Sequence, residues 1–283
     1  MSKQLTIVSD VVNILGEGPC WSKYGFAWVD ILGKKICHVQ EGQLDEFHLE
    51  QMPSSLAFDE DGGLVFTLND GFYKFEGRDP KPLCLLDRPH EDMRFNDGKI
   101  DGQGRYWSGT MDMKEENPLG SLYVMDDSSL IKVLDDITVS NGLCWDGSTF
   151  YYVDSPTKQV KKFYYDSDAL ALIEEDVLFA VTEEDVFPDG MCIDDEGHLW
   201  LALWNGFKVL RIHSVSGEIL EQIDLPCKKV TSCCFGGNNR DELYITTASY
   251  EMSPKDWEKY PDSGKIFMCR PGVTGPLLNL FQS

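Results

Sequence analysis

No apolar run in this chain approaches the length of a membrane-spanning segment, and the opening stretch Met1-Ser2-Lys3-Gln4-Leu5-Thr6 lacks the apolar core of a signal peptide. Positive charge is scarce: 25 Lys and Arg stand against 48 Asp and Glu, a formal net charge of −23. A field of that sign repels phosphate backbones and anionic lipid, which argues against nucleic acid and membrane surfaces as partners. An Asn-x-Ser/Thr acceptor is missing, as expected of a chain that is never secreted. The nine cysteines are an odd number, and several sit in apolar runs such as Ser232-Cys233-Cys234-Phe235. They read as small buried hydrophobes in a reducing compartment, so the expected location is the cytoplasm. Gly-x-Ser-x-Gly, P-loop and dinucleotide fingerprints are all absent. Long segments of 3.6-residue periodicity are absent too, which excludes a helical fold.

Short runs of β-branched and aromatic residues fill the chain instead, separated by Asp, Gly and Asn turns. Leu64–Leu68, Phe150–Asp154 and Leu243–Thr247 are examples of the strands, and Asp61-Gly62-Gly63 and Asp146-Gly147 of the turns. Asp59-Glu60-Asp61-Gly62-Gly63 superficially suggests a calcium loop, but its ligand spacing is wrong and it reads as a hairpin turn. Beneath the alternation lies a repeat. Asp189-Gly190-Met191-Cys192-Ile193-Asp194 and the following turn to Trp200 match Asn96-Asp97-Gly98-Lys99-Ile100-Asp101 and its turn to Trp107. Related units begin at Glu17, Ser54, Asn141 and Thr231, so the six starts lie 37, 42, 45, 48 and 42 residues apart. That period without helices predicts an all-β, six-bladed β-propeller of about four strands per blade. Without a linker or composition shift, residues 1–283 read as one domain, a monomer by default, with the segment before Glu17 closing the ring. A two-sheet sandwich would not produce six equivalent units.

In a propeller the first strand of each blade lines the central channel, where equivalent positions converge. The first repeat positions hold Glu17, Ser54, Asn96, Asn141, Asp189 and Thr231, all with side-chain oxygens. The bland reading is of polar turn residues bonded to neighbouring backbone or channel water, and taken singly Ser54 and Thr231 read that way. Glu17, Asn141 and Asp189 together form a hard oxygen set suited to Ca²⁺, Mg²⁺ or Mn²⁺. A divalent ion there would polarise a carbonyl, and Asp189 is the candidate to orient or deprotonate an attacking water. The five histidines, His38, His48, His90, His198 and His213, fall outside the six converging positions, which disfavours zinc–histidine chemistry and a Ser-His-Asp triad.

At these same residues the sequence resembles the regucalcin/gluconolactonase family, which also contains luciferin-regenerating enzymes. The resemblance rests on Gly16-Glu17-Gly18-Pro19, Arg94-Phe95-Asn96-Asp97-Gly98-Lys99, Gly109-Thr110-Met111, Ser140-Asn141-Gly142-Leu143, Pro188-Asp189-Gly190-Met191 and Thr231-Ser232-Cys233-Cys234-Phe235-Gly236-Gly237. These stretches occur in family order across essentially the whole chain. The resemblance implies a six-bladed propeller that hydrolyses sugar lactones such as gluconolactone. It puts the metal ligands on Glu17, Asn141 and Asp189, with Asp189 also the base, and the ion as calcium, zinc, manganese or iron. It puts substrate contacts on Arg94 and Asn96. Where animal regucalcins carry a sugar-contacting Glu, counting from Gly-Thr-Met lands on Lys114, with Glu115 and Asp112 beside it, in a loop shorter than theirs. Two further readings of the same ligand set are hydrolysis of other esters, organophosphates included, and a non-catalytic calcium-binding role.

Overall fold

The computed structural model describes residues 3–87 and 91–282; His90 lies outside them. The alternating runs become strands where expected: Leu64–Leu68, Thr149–Asp154 and Glu242–Ala248 are all β. The strands assemble into six antiparallel four-stranded sheets. Five of them take consecutive strands of the chain. The sixth pairs Thr6–Ser9 with Ile266–Cys269, so the N-terminal segment closes the ring against the last blade. Innermost are Gly16–Ser22, Leu56–Phe58, Met93–Ile100, Ser140–Asp146, Phe187–Ile193 and Lys229–Gly236. Each packs on the next and the last on the first, which completes a six-bladed β-propeller. No helix among the described residues is long and apolar enough to cross a membrane.

The repeat has a physical basis in its turns. In the third blade, Asp101 Oδ1 accepts the backbone N–H groups of Gln103 and Arg105, while Oδ2 accepts Trp107 Nε1 at 3.0 Å and Arg105 Nε at 2.8 Å. In the fifth, Asp194 does the same with Glu196, His198, Trp200 Nε1 at 2.9 Å and Arg211 Nε at 2.8 Å. One carboxylate thus closes the hairpin and fixes the tryptophan of the next strand, which is fully buried between blades. Asp59 closes its hairpin likewise, accepting from Asp61 and Gly63. All nine cysteines are free, eight of them buried. Further along the inner strands, Cys20, Cys144 and Cys192 meet Lys99 in a small cavity of about 170 Å³, walled on one side by Pro276–Asn279 of the C-terminal segment.

Candidate active site

The strands that line the channel are not regular. Cross-strand register shifts immediately around the first repeat position in five of the six: between Glu17 and Cys20, Phe95 and Gly98, Asn141 and Leu143, Pro188 and Met191, and Val230 and Ser232. A bulge inserts an unpaired residue and re-aims the side chain beside it. The glycines of the repeat make room for this. A Cβ on Gly142 would lie 2.5 Å from the Asp189 carbonyl oxygen, and one on Gly98 2.6 Å from the Trp107 carbonyl oxygen. The inner strands of the fourth and fifth blades therefore approach backbone to backbone at Gly142, while Gly98 closes on the second strand of its own blade.

Four of the six first-position residues, Glu17, Asn96, Asn141 and Asp189, line one cavity of about 230 Å³, joined there by Arg94 and Glu115. Thr231 does not join them: its hydroxyl donates to the Gly16 carbonyl and contacts Thr246 Oγ1 at 2.8 Å, tying the last blade to the first. Ser54 is buried outside that lining. No described histidine lines it either. Apolar walls come from Leu15, Met111, Val139, Phe187 and Trp204, none of them singled out by the repeat.

The polar groups are deeply buried, with Glu17 7%, Asn141 5%, Asp189 5% and Arg94 8% exposed. Gly18 N–H donates to Glu17 Oε2 at 3.0 Å, and Gly142 N–H to Asn141 Oδ1 at 3.1 Å. Asn141 Nδ2 donates to Ser155 Oγ, whose own proton goes to the Pro188 carbonyl at 2.8 Å, so the amide orientation is fixed from both ends. Arg94 Nη1 donates to Asn96 Oδ1 at 2.7 Å and to the Phe95 carbonyl at 2.9 Å, and Asn96 Nδ2 to the Ser140 carbonyl.

Burial pushes the Glu17 carboxyl well above its ordinary range, with Asp189 and Asp97 adding repulsion against the Gly18 N–H and Arg94. Burial likewise raises Asp189, offset by Asn141 and the Gly190 N–H and reinforced by Asp97 and Glu115. Desolvation brings the Arg94 guanidinium down to about 10, against the pull of Glu115, Glu17 and Asp189. Within the cavity lining, Asp189 Oδ1 is buried without a hydrogen-bond partner, as is Asp97 Oδ2 outside it. An oxygen in that state is costly unless something cationic or a proton meets it. Among the described residues no three carboxylate, histidine or cysteine side chains gather as a ready-made metal cluster. The set here is two carboxylates and one amide.

Lys114 lies elsewhere. Asp112 accepts the N–H groups of Lys114, Glu116 and Asn117, folding the loop back on itself, and Glu115 takes a left-handed φ of 59°. That reversal presents Glu115 to the cavity and leaves Lys114 lining the adjoining one.

Residues 15–249 match the family described as SMP-30/Gluconolactonase/LRE-like region. The chain belongs to that family. Human regucalcin is 36% identical over 266 residues, 89% of each chain. A Bacillus subtilis (strain 168) protein provisionally named sugar lactone lactonase YvrE is 36% identical over 273 residues, 93% of each. Among solved structures, the calcium-binding protein regucalcin of Agrobacterium tumefaciens superposes with a TM-score of 0.94 at 25% identity, covering 100% of this chain and 99% of its own. The family match spans four of the inner strands' site positions named above, from Glu17 to Asp189.

Proposed function

We propose that the chain is a sugar-lactone hydrolase working at the Glu17–Asn141–Asp189 cavity with one divalent cation. The carrying observation is the set itself: two buried carboxylates and a fixed amide oxygen facing one another, with Asp189 Oδ1 unpartnered. Carboxylates pressed together in that way relieve their repulsion by holding protons or by sharing a cation. An all-oxygen set fits a hard divalent ion such as Ca²⁺, Mg²⁺ or Mn²⁺, and the borderline Zn²⁺ or Fe²⁺ remain admissible. When bound, the ion supplies the positive charge that polarises the lactone carbonyl.

The protein's own groups do the rest. Asp189 accepts a proton from the attacking water and returns it to the ring oxygen as the acyl–oxygen bond breaks. Arg94, its plane fixed through Nη1, donates to substrate oxygens with the remainder of its fork. Asn96 and Glu115 border the same space, and Phe187 and Trp204 exclude water from one side. The product is an open-chain hydroxy acid, which releases one proton near neutral pH. Family membership and the similarity to a protein named sugar lactone lactonase support the substrate class. We place the protein in the cytoplasm, a reading supported by its nine free thiols, and take it as a monomer acting on small molecules, the latter supported by its lactonase relatives. Proton release from D-glucono-δ-lactone by stripped and cation-loaded protein tests the reading.

A further inference from the structure

A larger cavity of about 510 Å³ adjoins the Glu17–Asp189 cavity, and Glu115 and Trp204 line both. Cavities that enclose small-molecule substrates usually span roughly 300–1,000 Å³, so the smaller one falls short alone and the two together do not. The annex has a definite chemistry. Three aromatic residues line it, Trp204, Tyr250 and Tyr260. Lys229 sits 4.8 Å from the ring centres of both Trp204 and Tyr250 and donates to the Tyr250 carbonyl at 2.6 Å, which holds those rings in place. Its charges balance: Lys114, Lys228 and Lys229 against Glu115, Glu251 and Asp256. In a chain of net charge −23, a locally neutral wall rich in donors and acceptors favours neither a free anion nor a free cation. Aromatic surface beside both donors and acceptors suits a neutral, hydroxyl-rich ring.

We infer that the annex holds the second sugar of a glycosyl-substituted aldonolactone, so that the preferred substrate class is the lactone of an oxidised disaccharide. This rests on the lactone-hydrolase reading above. The bond broken is the same ring ester, and the glycosidic bond is untouched.

The test compares proton release from cellobiono-δ-lactone, D-glucono-δ-lactone and a 6-phosphorylated gluconolactone. It uses the cation-loaded wild type, Tyr250→Ala, Lys228→Ala and Met252→Trp, the last of which fills the annex, with Tm confirming that each variant is folded. The wild type is expected to prefer the disaccharide lactone by roughly tenfold or more in kcat/KM. The folded variants are expected to lose about that factor through KM, while D-glucono-δ-lactone stays within about twofold. Equal or better wild-type turnover of the unsubstituted lactone, preference for the phosphorylated one, or variants that slow both neutral lactones equally would overturn the inference while leaving the hydrolase reading intact. Failure to accelerate any lactone with any cation would remove that reading, and the inference with it.

Discussion

Asp189 carries two demands in one side chain: it must stay ionised to hold a cation, and it sits where burial and Asp97 favour the protonated form. Asp189→Asn removes the charge at nearly constant size. It is expected to lower kcat by at least a hundredfold, the usual scale for a lost general base, with Tm unchanged or raised. Wild-type kcat in that variant would refute the assigned role. Glu17 tests the electrostatics separately. Its folded pKa lies above its unfolded value, so in cation-free protein its stabilising contribution is complete below the unfolded pKa and lost as pH rises through the folded one. Glu17→Gln escapes that loss. The Tm of stripped Glu17→Gln minus that of stripped wild type is therefore expected to increase as pH rises above the ordinary carboxylate range. The variant should also bind cation more weakly, so that excess cation restores part of its activity. A pH-independent difference would show that Glu17 is not strained by its surroundings.

Strand irregularity turns a common repeat into a site. The bulges beside Glu17, Asn141 and Asp189 re-aim side chains that a regular pleat would send elsewhere, and glycines let the inner strands close on one another. Gly142→Ala forces a Cβ to within 2.5 Å of the Asp189 carbonyl. Overpacking of this kind costs about 1–3 kcal/mol, and here the displaced backbone also carries Asp189. Loss of stability in denaturant together with loss of cation affinity is expected; loss of stability alone would mean that the site tolerates the shift. The repeat was legible because its turn carboxylates, Asp101 and Asp194, and their tryptophans serve the same bonds in different blades. Four of the six first-position oxygens, those of Glu17, Asn96, Asn141 and Asp189, were legible for the same reason, since equivalent inner-strand positions face the axis; Ser54 and Thr231 stand outside the cavity. The 112–117 loop was not. Its side-chain directions follow from a left-handed residue and three N–H groups gathered by Asp112, local turn geometry that counting along a strand misses. Counting lands on Lys114, which lines the adjoining cavity, whereas Glu115 lines both. Glu115→Gln is expected to raise KM for the lactone about tenfold, and by more than Lys114→Gln does, as steady-state kinetics would show. The apolar walls, Phe187 and Trp204, carried no signal in sequence beyond ordinary core character.

For the whole molecule, closure of the ring fixes the distance between Glu17 in the first blade and Asp189 in the fifth. Pairing of Thr6–Ser9 with Ile266–Cys269 supplies that closure, so deleting residues 1–10 is expected to lower Tm and cation affinity together. The net charge of −23 acts over longer range. It raises the local concentration of divalent cations at low ionic strength, so the cation association rate is expected to fall as monovalent salt is added. The central claim is that oxygen ligands at the axis make this propeller a cation-dependent lactone hydrolase. The most direct measurement is proton release from D-glucono-δ-lactone by stripped protein, with Ca²⁺, Mg²⁺, Mn²⁺, Zn²⁺ and Fe²⁺ added one at a time. Acceleration above the spontaneous rate that appears with a cation and disappears in Asp189→Asn is the predicted result. Hydrolysis at the spontaneous rate with every cation, from folded protein shown to bind it, would contradict the account.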